Sequence, residues 1–308
     1  MKIIFMGTPE FAVPTLEALI EKHEVLAVAT QPDRPKGRGN KLSPPPVKEV
    51  AIRHNIPVLQ PNRARDDSFI EEIEKFCPDA VVVVAFGQIL PEKILNLPRY
   101  GCINVHGSLL PKYRGASPIQ QAIIDGETIT GVTIMHMDKG LDTGDMILKQ
   151  EIIITKQDTA GTLHDKMAPV GAAALIEALA RLENGTAERV KQVDSESSYA
   201  KMLKKETGHI NFANDSAKIF NLVRGLNPWP SAYAYYKGGL LKIWEVEVID
   251  NKENVQPGQI VSADDDGILV KTGDGAILIK QLQAQGGKRM HVEAYLRGNK
   301  INVGEILE

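Results

Sequence analysis

Residues 79–86 read Asp-Ala-Val-Val-Val-Val-Ala-Phe. Four consecutive valines leave no polar side for water. β-branched residues favour strand over helix. A strand apolar on both faces belongs inside a parallel sheet covered on both sides. Parallel neighbours need long crossovers, so helices are expected between the strands. Apolar runs at 2–6, 24–30 and 101–106 read as further strands. Between them, Phe11, Leu16, Leu19 and Ile20 recur at helical spacing, and helical patterns fall at about 47–54, 67–76 and 91–97. Pro9 and Pro14 suit the start of the first helix rather than its middle. The expected fold is α/β, a doubly wound, mostly parallel sheet. Chemistry in such a sheet belongs at the carboxyl ends of its strands, where Gly7, Phe86 and His106 stand.

Beyond this, 131–137 and 145–154 read as two more strands, and an alanine-dense helix runs from about Thr159 to Glu183, ended by Asn184-Gly185. The polar stretch Gln192 to Gly208 reads as a linker. A helix at about 214–224 follows, then short strands with hairpin signals at Asp264-Asp-Asp-Gly267 and Thr272-Gly-Asp-Gly275. This part is mostly β, a small barrel or sandwich. The expected division is 1–190, a linker 191–208, and 209–308. A chain of 308 residues is long enough to bury a core in each part. A net charge of -3 gives no overall nucleic-acid signal, so any basic surface has to be local. Cys77 and Cys102 have no metal spacing, and a reduced cytoplasmic setting is expected. The opening run Met1–Gly7 is too short for a signal peptide, and no later run reaches membrane-spanning length. A monomer is expected.

Three residues suggest chemistry. Asn104 and His106 end an apolar run two positions apart, which puts both side chains on one face of a strand. Asp142 lies in the turn Leu141-Asp-Thr-Gly144, which can return it beside the histidine. A carboxamide, an imidazole and a carboxylate suit attack of an amine on an acyl carbon. The amide fixes the acyl oxygen, the imidazolium meets the developing charge, and the carboxylate orients the ring and takes a proton. Each residue alone reads as a turn or structural residue. The constellation favours catalysis.

Other segments leave two readings open. Ser108-Leu109-Leu110-Pro111 suits a loop presenting backbone groups to a ligand, or a stiff loop packing two leucines. Phe86-Gly-Gln88-Ile89-Leu90-Pro91 suits a pocket for a flat heteroaromatic ring, or a plain strand-to-helix turn. The stretch 31–46 carries Arg34, Lys36, Arg38 and Lys41 against Asp33, and is long and rich in Pro and Gly. It suits a polyanionic substrate, or a solvated insertion. Gly286-Gly-Lys288-Arg289 is a smaller basic point, or a turn with solvated charges. No G-x-G-x-x-G follows Gly7, and neither a P-loop nor a metal-ligand constellation is present.

Taken together these segments resemble the methionyl-tRNA formyltransferases, one branch of the folate-dependent formyltransferases. The resemblance rests on Phe5-Met-Gly-Thr-Pro-Glu-Phe-Ala-Val-Pro14, Gln31-Pro-Asp-Arg-Pro35 with Gly37-Arg38-Gly39, Ile103 to Ala116, Met137 to Asp145, Asn227-Pro-Trp-Pro-Ser-Ala232 and Gly287-Lys-Arg-Met290. It covers nearly the whole chain and is looser after about residue 240. It implies a Rossmann-like first domain and a C-terminal OB-like β-barrel. It implies transfer of a formyl group from 10-formyltetrahydrofolate to the α-amino group of methionyl-initiator tRNA, without a metal or a membrane. Asn104, His106 and Asp142 would be catalytic. Phe86, Gln88, Ile89, Leu90, Ser108, Leu109, Leu110, Pro111 and Leu141 would hold folate. Arg34, Lys36, Arg38, Lys41, Lys204, Lys205, Lys288 and Arg289 would meet tRNA, with Arg38 the key residue of its loop. The alternative within the wider family is a sugar-nucleotide formyltransferase acting on a UDP-amino sugar. The Met-Gly-Thr-Pro-Glu-Phe start and the basic loop separate the chain from that reading.

Overall fold

The computed structural model describes residues 1–36 and 41–308 and divides into two compact units. The first comprises Met1–Pro118, Ile129–Ile153 and His164–Ala200, and the second Ile119–Thr128, Ile154–Leu163 and Lys201–Glu308.

The first unit opens with β1 (Lys2–Gly7), α1 (Val13–Lys22) and β2 (Glu24–Ala29), then a short antiparallel pair, β3 (Arg34–Lys36) and β4 (Lys41–Ser43). Next come α2 (Pro46–Arg53), β5 (Val58–Leu59), α3 (Asp67–Lys75), β6 (Ala80–Val84), α4 (Glu92–Leu95), β7 (Cys102–His106) and β8 (Arg114–Gly115). The helix α5 (Pro118–Ile124) belongs to the second unit from Ile119. Then follow β9 (Ile129–His136), β10 (Met146–Ile153), α6 (Ala160–Glu183) and β11 (Tyr199–Ala200). Seven strands form one sheet in the order β10-β9-β7-β6-β1-β2-β5. β5, β2, β1, β6 and β7 run parallel, while β9 and β10 add an antiparallel edge beside β7.

The valine strand β6 lies between β1 and β7, with every residue buried. Its apolar faces are covered as its composition requires: α3 alone turns Phe69, Ile70 and Ile73 inward, and the three share one core cluster with Val81 and Val83. From β1 the chain winds outward through β2 to β5, then returns to β6 on the other side of β1. Strand order reverses there, and the carboxyl ends of β1 and β6 flank the crevice where ligands of such sheets bind. Thr8 Oγ1 and Gln31 Nε2 both donate across it to the Phe86 carbonyl, at 3.1 and 3.2 Å.

The segment 191–208, expected as a linker, divides at its middle. Up to Ala200 it is compact with the first unit, where β11 pairs in parallel with β8. From Lys201 it is compact with the second. The polar composition that suggested free chain serves a run of hydrogen bonds to Arg114 instead.

The second unit carries α7 (Ser216–Gly225), then β12 (Ala232–Tyr236), β13 (Gly239–Ile249), β14 (Ile260–Asp264), β15 (Gly267–Lys271), β16 (Ala276–Ala284), β17 (Met290–His291) and α8 (Val292–Leu296). The sheet is antiparallel in the order β12-β13-β16-β15-β14, with β17 on β16. Both hairpin signals sit at tight connections, where Asp264 pairs with Gly267 and Lys271 with Ala276. Alternation along β13 turns Leu241, Ile243 and Val246 into a core shared with Ile219 and Val223 of α7. The sheet's two end strands, β12 and β14, are each bonded by the chain's last residues. Glu308 exchanges backbone hydrogen bonds with Tyr235, and the Glu305 carbonyl accepts from Ile260 N–H. No helix among the described residues is long and apolar enough to cross a membrane.

Candidate active site

β7 delivers Asn104 and His106 to one face because strand side chains alternate. In the sheet Asn104 lies between Val83 of β6 and Met135 of β9. Its strand neighbours at that level are apolar. Asn104 is 9 % exposed, the most open residue of β7. Its carboxamide makes no hydrogen bond among the described residues. Its amide oxygen and nitrogen are left open to a ligand.

His106 is buried at the carboxyl end of β7. Its Nε2 lies 2.9 Å from the Tyr113 carbonyl, and its Nδ1 lies 3.7 Å from Asp142 Oδ2. A carbonyl only accepts, so Nε2 is the donor of that pair. The other nitrogen faces a carboxylate, and only the doubly protonated ring presents a proton to both oxygens. Asp142 Oδ2 also accepts from the Gly115 N–H at 2.8 Å. The turn expected to bring Asp142 back beside His106 does so, with Asp142 at φ 53. Tyr113 and Ala85 also hold positive φ, at 61 and 48. Left-handed backbone at three non-glycine residues costs energy and persists only where surroundings over-determine it. Gly115 has φ 112, and a Cβ there would stand 2.7 Å from the Ala200 carbonyl oxygen. Only glycine fits.

The candidate donor-binding residues fall into two groups. Ser108, Leu110 and Gln88 have their polar groups occupied within the fold. Ser108 Oγ donates to the Lys112 carbonyl, Leu110 N–H to Thr133 Oγ1, and Lys149 Nζ to the Leu110 carbonyl. Gln88 Nε2 donates to the Pro61 carbonyl, and its Oε1 accepts from Ala64 N–H. Phe86, Leu90 and Leu110 are buried, and Leu109 and Pro111 partly so. In contrast Ile89 is 91 % and Leu141 59 % exposed. Large apolar side chains held out in water are available to cover a ligand.

The basic loop is described in part. Arg38 lies outside the described residues, and Lys36 and Lys41 are seen only as a backbone pair. Arg34 is exposed and donates to Gln31 Oε1. The loop's one acid, Asp33, is held by Gln60 and Lys48, whose hydrogen bonds keep its carboxyl below the usual carboxylate range. Arg34, Pro35, Ser43 and the three following prolines line a hollow of about 380 Å³ with Thr8, Pro9, Gln31, Pro32 and Gly87.

In the second unit Lys204, Lys205, Lys288 and Arg289 are all exposed. Sequence reading missed a feature beside the last two. The Lys242 ammonium and the Arg289 guanidinium each lie over the Trp244 ring, 5.7 and 5.1 Å from its centroid. Lys-x-Trp in a strand, two apart on one face, was a readable signal for it. Tyr113 and Gly115 fall in the segment Ile103 to Ala116 that carries the resemblance, but nothing in the sequence gives their backbone roles, and nothing marks Gln192, which acts from far along the chain. His136 is buried but lies on the other face of the sheet, opposite Ile103. Burial, aided by Arg189 and opposed by Asp145, pushes its pKa down to about 4. Its Nε2 has no hydrogen-bond partner among the described residues. Among the described residues no group of three or more His, Cys, Asp or Glu side chains is placed to hold a metal.

Comparison with known proteins agrees with this arrangement over the whole chain. Residues 1–179 match the formyl transferase family model, and residues 202–300 that of the formyl transferase C-terminal domain. The methionyl-tRNA formyltransferase of Clostridium tetani (strain Massachusetts / E88) is 56 % identical over 309 residues, covering 100 % of both chains. That of Clostridioides difficile (strain 630) is 54 % identical over 308 residues, again covering 100 % of both. Solved structures share the fold at lower identity. An N-formyltransferase from Helicobacter canadensis, in complex with folinic acid and dTDP-3-aminofucose, superposes with a TM-score of 0.66 at 22 % identity, over 94 % of this chain and 100 % of that one. HypX from Aquifex aeolicus in complex with tetrahydrofolic acid superposes with a TM-score of 0.65 at 16 % identity over 99 % of this chain, which spans about half (50 %) of HypX. Full-length identity above half, with both halves matched in order, leaves one conclusion: the chain belongs to the methionyl-tRNA formyltransferase family.

Proposed function

We propose that the chain transfers a formyl group from 10-formyltetrahydrofolate to the α-amino group of methionine esterified to initiator tRNA. One observation carries the reading to the residues: the unbonded Asn104 carboxamide shares the end of β7 with a histidine whose ring nitrogens both face oxygens. The exposed Ile89 and Leu141 fit a flat pterin that would take them out of water. When bound, the folate supplies the formyl group on its N10.

The residues then divide the work. Asn104 Nδ2 donates to the formyl oxygen, where negative charge collects as the amine approaches, and the His106 ring, its two nitrogens held by the Tyr113 carbonyl and Asp142, stabilises that charge from beside it. Asp142 orients the ring and accepts the proton the amine loses. The amine adds to the formyl carbon, the carbon's bond to N10 then breaks, and the proton passes to N10. Donors fixed in advance in a dry site are worth far more than in water, about 2.7–4 kcal/mol of barrier for one such hydrogen bond. Phe86, Gln88 and Leu90 frame the donor site through their backbone and packing, and Ser108, Leu109, Leu110 and Pro111 form its rigid wall. Arg34, Lys36, Arg38 and Lys41 meet the acceptor arm. Lys204, Lys205, Lys288 and Arg289 meet phosphates.

The test is whether 10-formyltetrahydrofolate is consumed by the purified chain only when charged initiator tRNA is present. Consumption with a UDP-amino sugar instead would establish the sugar-nucleotide reading. For the loop, Arg38→Ala is expected to weaken use of charged tRNA and leave folate binding intact. An equal loss on a small methionyl analogue would make the loop structural.

A further inference from the structure

The strand that carries His106 does not by itself fix where Asp142 stands. Asp142 holds a left-handed backbone that an aspartate adopts at a cost, and its side chain ends 3.7 Å from the imidazole. Something must keep that turn from relaxing. The Gln192 carboxamide does so directly: its Nε2 donates to the Asp142 and Gly144 carbonyls, both at 2.8 Å. Its Oε1 accepts from Arg114 Nε at 2.9 Å. Arg114 is 2 % exposed, and its Nη2 reaches Asp194 Oδ1 at 2.8 Å.

Arg114 lies between the two residues whose backbones meet the catalytic pair. Tyr113 gives its carbonyl to His106, and Gly115 gives its N–H to Asp142. The same three residues are tied to the segment that follows Gln192. Arg114 N–H donates to the Ser198 carbonyl, Tyr113 N–H to Ser198 Oγ, and β8 pairs with β11. Asp142, Gln192, Arg114 and Gly115 thus form a closed ring of hydrogen bonds and backbone. Its one side chain with donors and an acceptor both engaged is Gln192.

We propose that Gln192, tethered by Arg114, is a positioning residue that sets the Asp142–His106 geometry for formyl transfer, an inference that rests on the catalytic reading of that pair. The alternative is a surface pin that serves stability alone. The two differ in what fails when the donors are removed. Displacing a reacting group by about 1 Å can cost on the order of a hundredfold in rate, whereas losing a pin lowers the melting temperature and leaves the folded enzyme's rate alone.

Gln192→Glu keeps the size and the acceptor for Arg114 but removes both donors and sets a carboxylate against two carbonyls. It is compared with wild type, Gln192→Ala, Asp142→Asn and the Asp142→Asn/Gln192→Glu double variant. The measurements are kcat and KM for formylation of methionyl-tRNA, and melting temperature. The expected result is a kcat lower by about ten- to a hundredfold in both Gln192 variants, with KM for both substrates unchanged. In the Asp142→Asn background Gln192→Glu should cost nothing further, because coupled residues are non-additive. Wild-type kcat in Gln192→Glu, or the same fold-loss in the Asp142→Asn background, overturns the proposal. So does a lowered melting temperature with unchanged kcat. Absence of formyl transfer by the wild type overturns the functional reading beneath it, which keeps the two failures apart.

Discussion

The carboxyl end of β7 and the outer face around Trp244 solve opposite problems. At β7 the functional groups are few, buried and held by backbone. Tyr113 offers its carbonyl to His106 and Gly115 its N–H to Asp142. Around Trp244 the groups are cationic and aromatic, and held by side-chain contacts alone. Bond exchange at one carbon needs fixed donors in a dry site. Grasping a long polyanion needs reach, and tolerates loose geometry because phosphates are met by charge. The contrast teaches that the two regions should respond to mutation in different kinetic terms.

The largest effect is expected at β7. Asn104→Ala should lower kcat by roughly 10²–10³-fold, the usual cost of one lost oxyanion donor, with tRNA affinity intact. A variant that instead loses affinity and keeps kcat would reverse the roles of the two regions. Next in size, Lys288→Ala with Arg289→Ala should raise KM for charged tRNA and leave kcat at saturation alone. The slope of log affinity against log salt should shrink by roughly 0.7–0.9 for each phosphate that is no longer neutralised. Affinity that ignores salt would remove the phosphate role from this face.

A smaller effect concerns the sheet around the site. His136 is held near pKa 4 when folded, against an ordinary 6.5. Between those values the unfolded chain binds more protons. Its contribution to stability is therefore whole above about pH 6.5 and lost as pH falls toward 4. Melting curves of wild type should drop across that window more steeply than those of His136→Leu; parallel curves would show that the buried ring is not what titrates. The smallest effect probes whether β7 opens at all. Burial pushes the Cys102 thiol up to about 12, while Cys77 is exposed. Alkylation of the native protein near pH 8 should mark Cys77 alone, because reactivity follows the thiolate. Rapid marking of Cys102 would mean that β7 is less fixed than its hydrogen bonds imply.

Much of this was legible because it is local. The valines of β6 demanded a parallel sheet, the Asp-Gly turns gave the hairpins, and Asn-x-His gave a shared strand face. What escaped depends on contacts between residues far apart in sequence. β8 and β11 are two residues each and pair across 85 positions, as Tyr113 and Ser198 do. No periodicity marks so short a strand. Arg114 carries no signal of its own because arginine is almost never fully buried unless paired, and its partners lie at 192 and 194. The polar stretch that reads as linker is polar because those partners are. The resemblance named Asn104, His106 and Asp142, but not the carbonyl, the N–H and the carboxamide that hold two of them in place.

The central claim is that the end of β7 moves the formyl group and does not merely hold the substrate. It is tested most directly by single-turnover formylation with His106→Ala, saturating 10-formyltetrahydrofolate and charged initiator tRNA, with tRNA affinity measured on the same preparation. The account predicts a rate lower by roughly 10²–10³-fold at unchanged affinity. A near wild-type rate in the folded variant would contradict it.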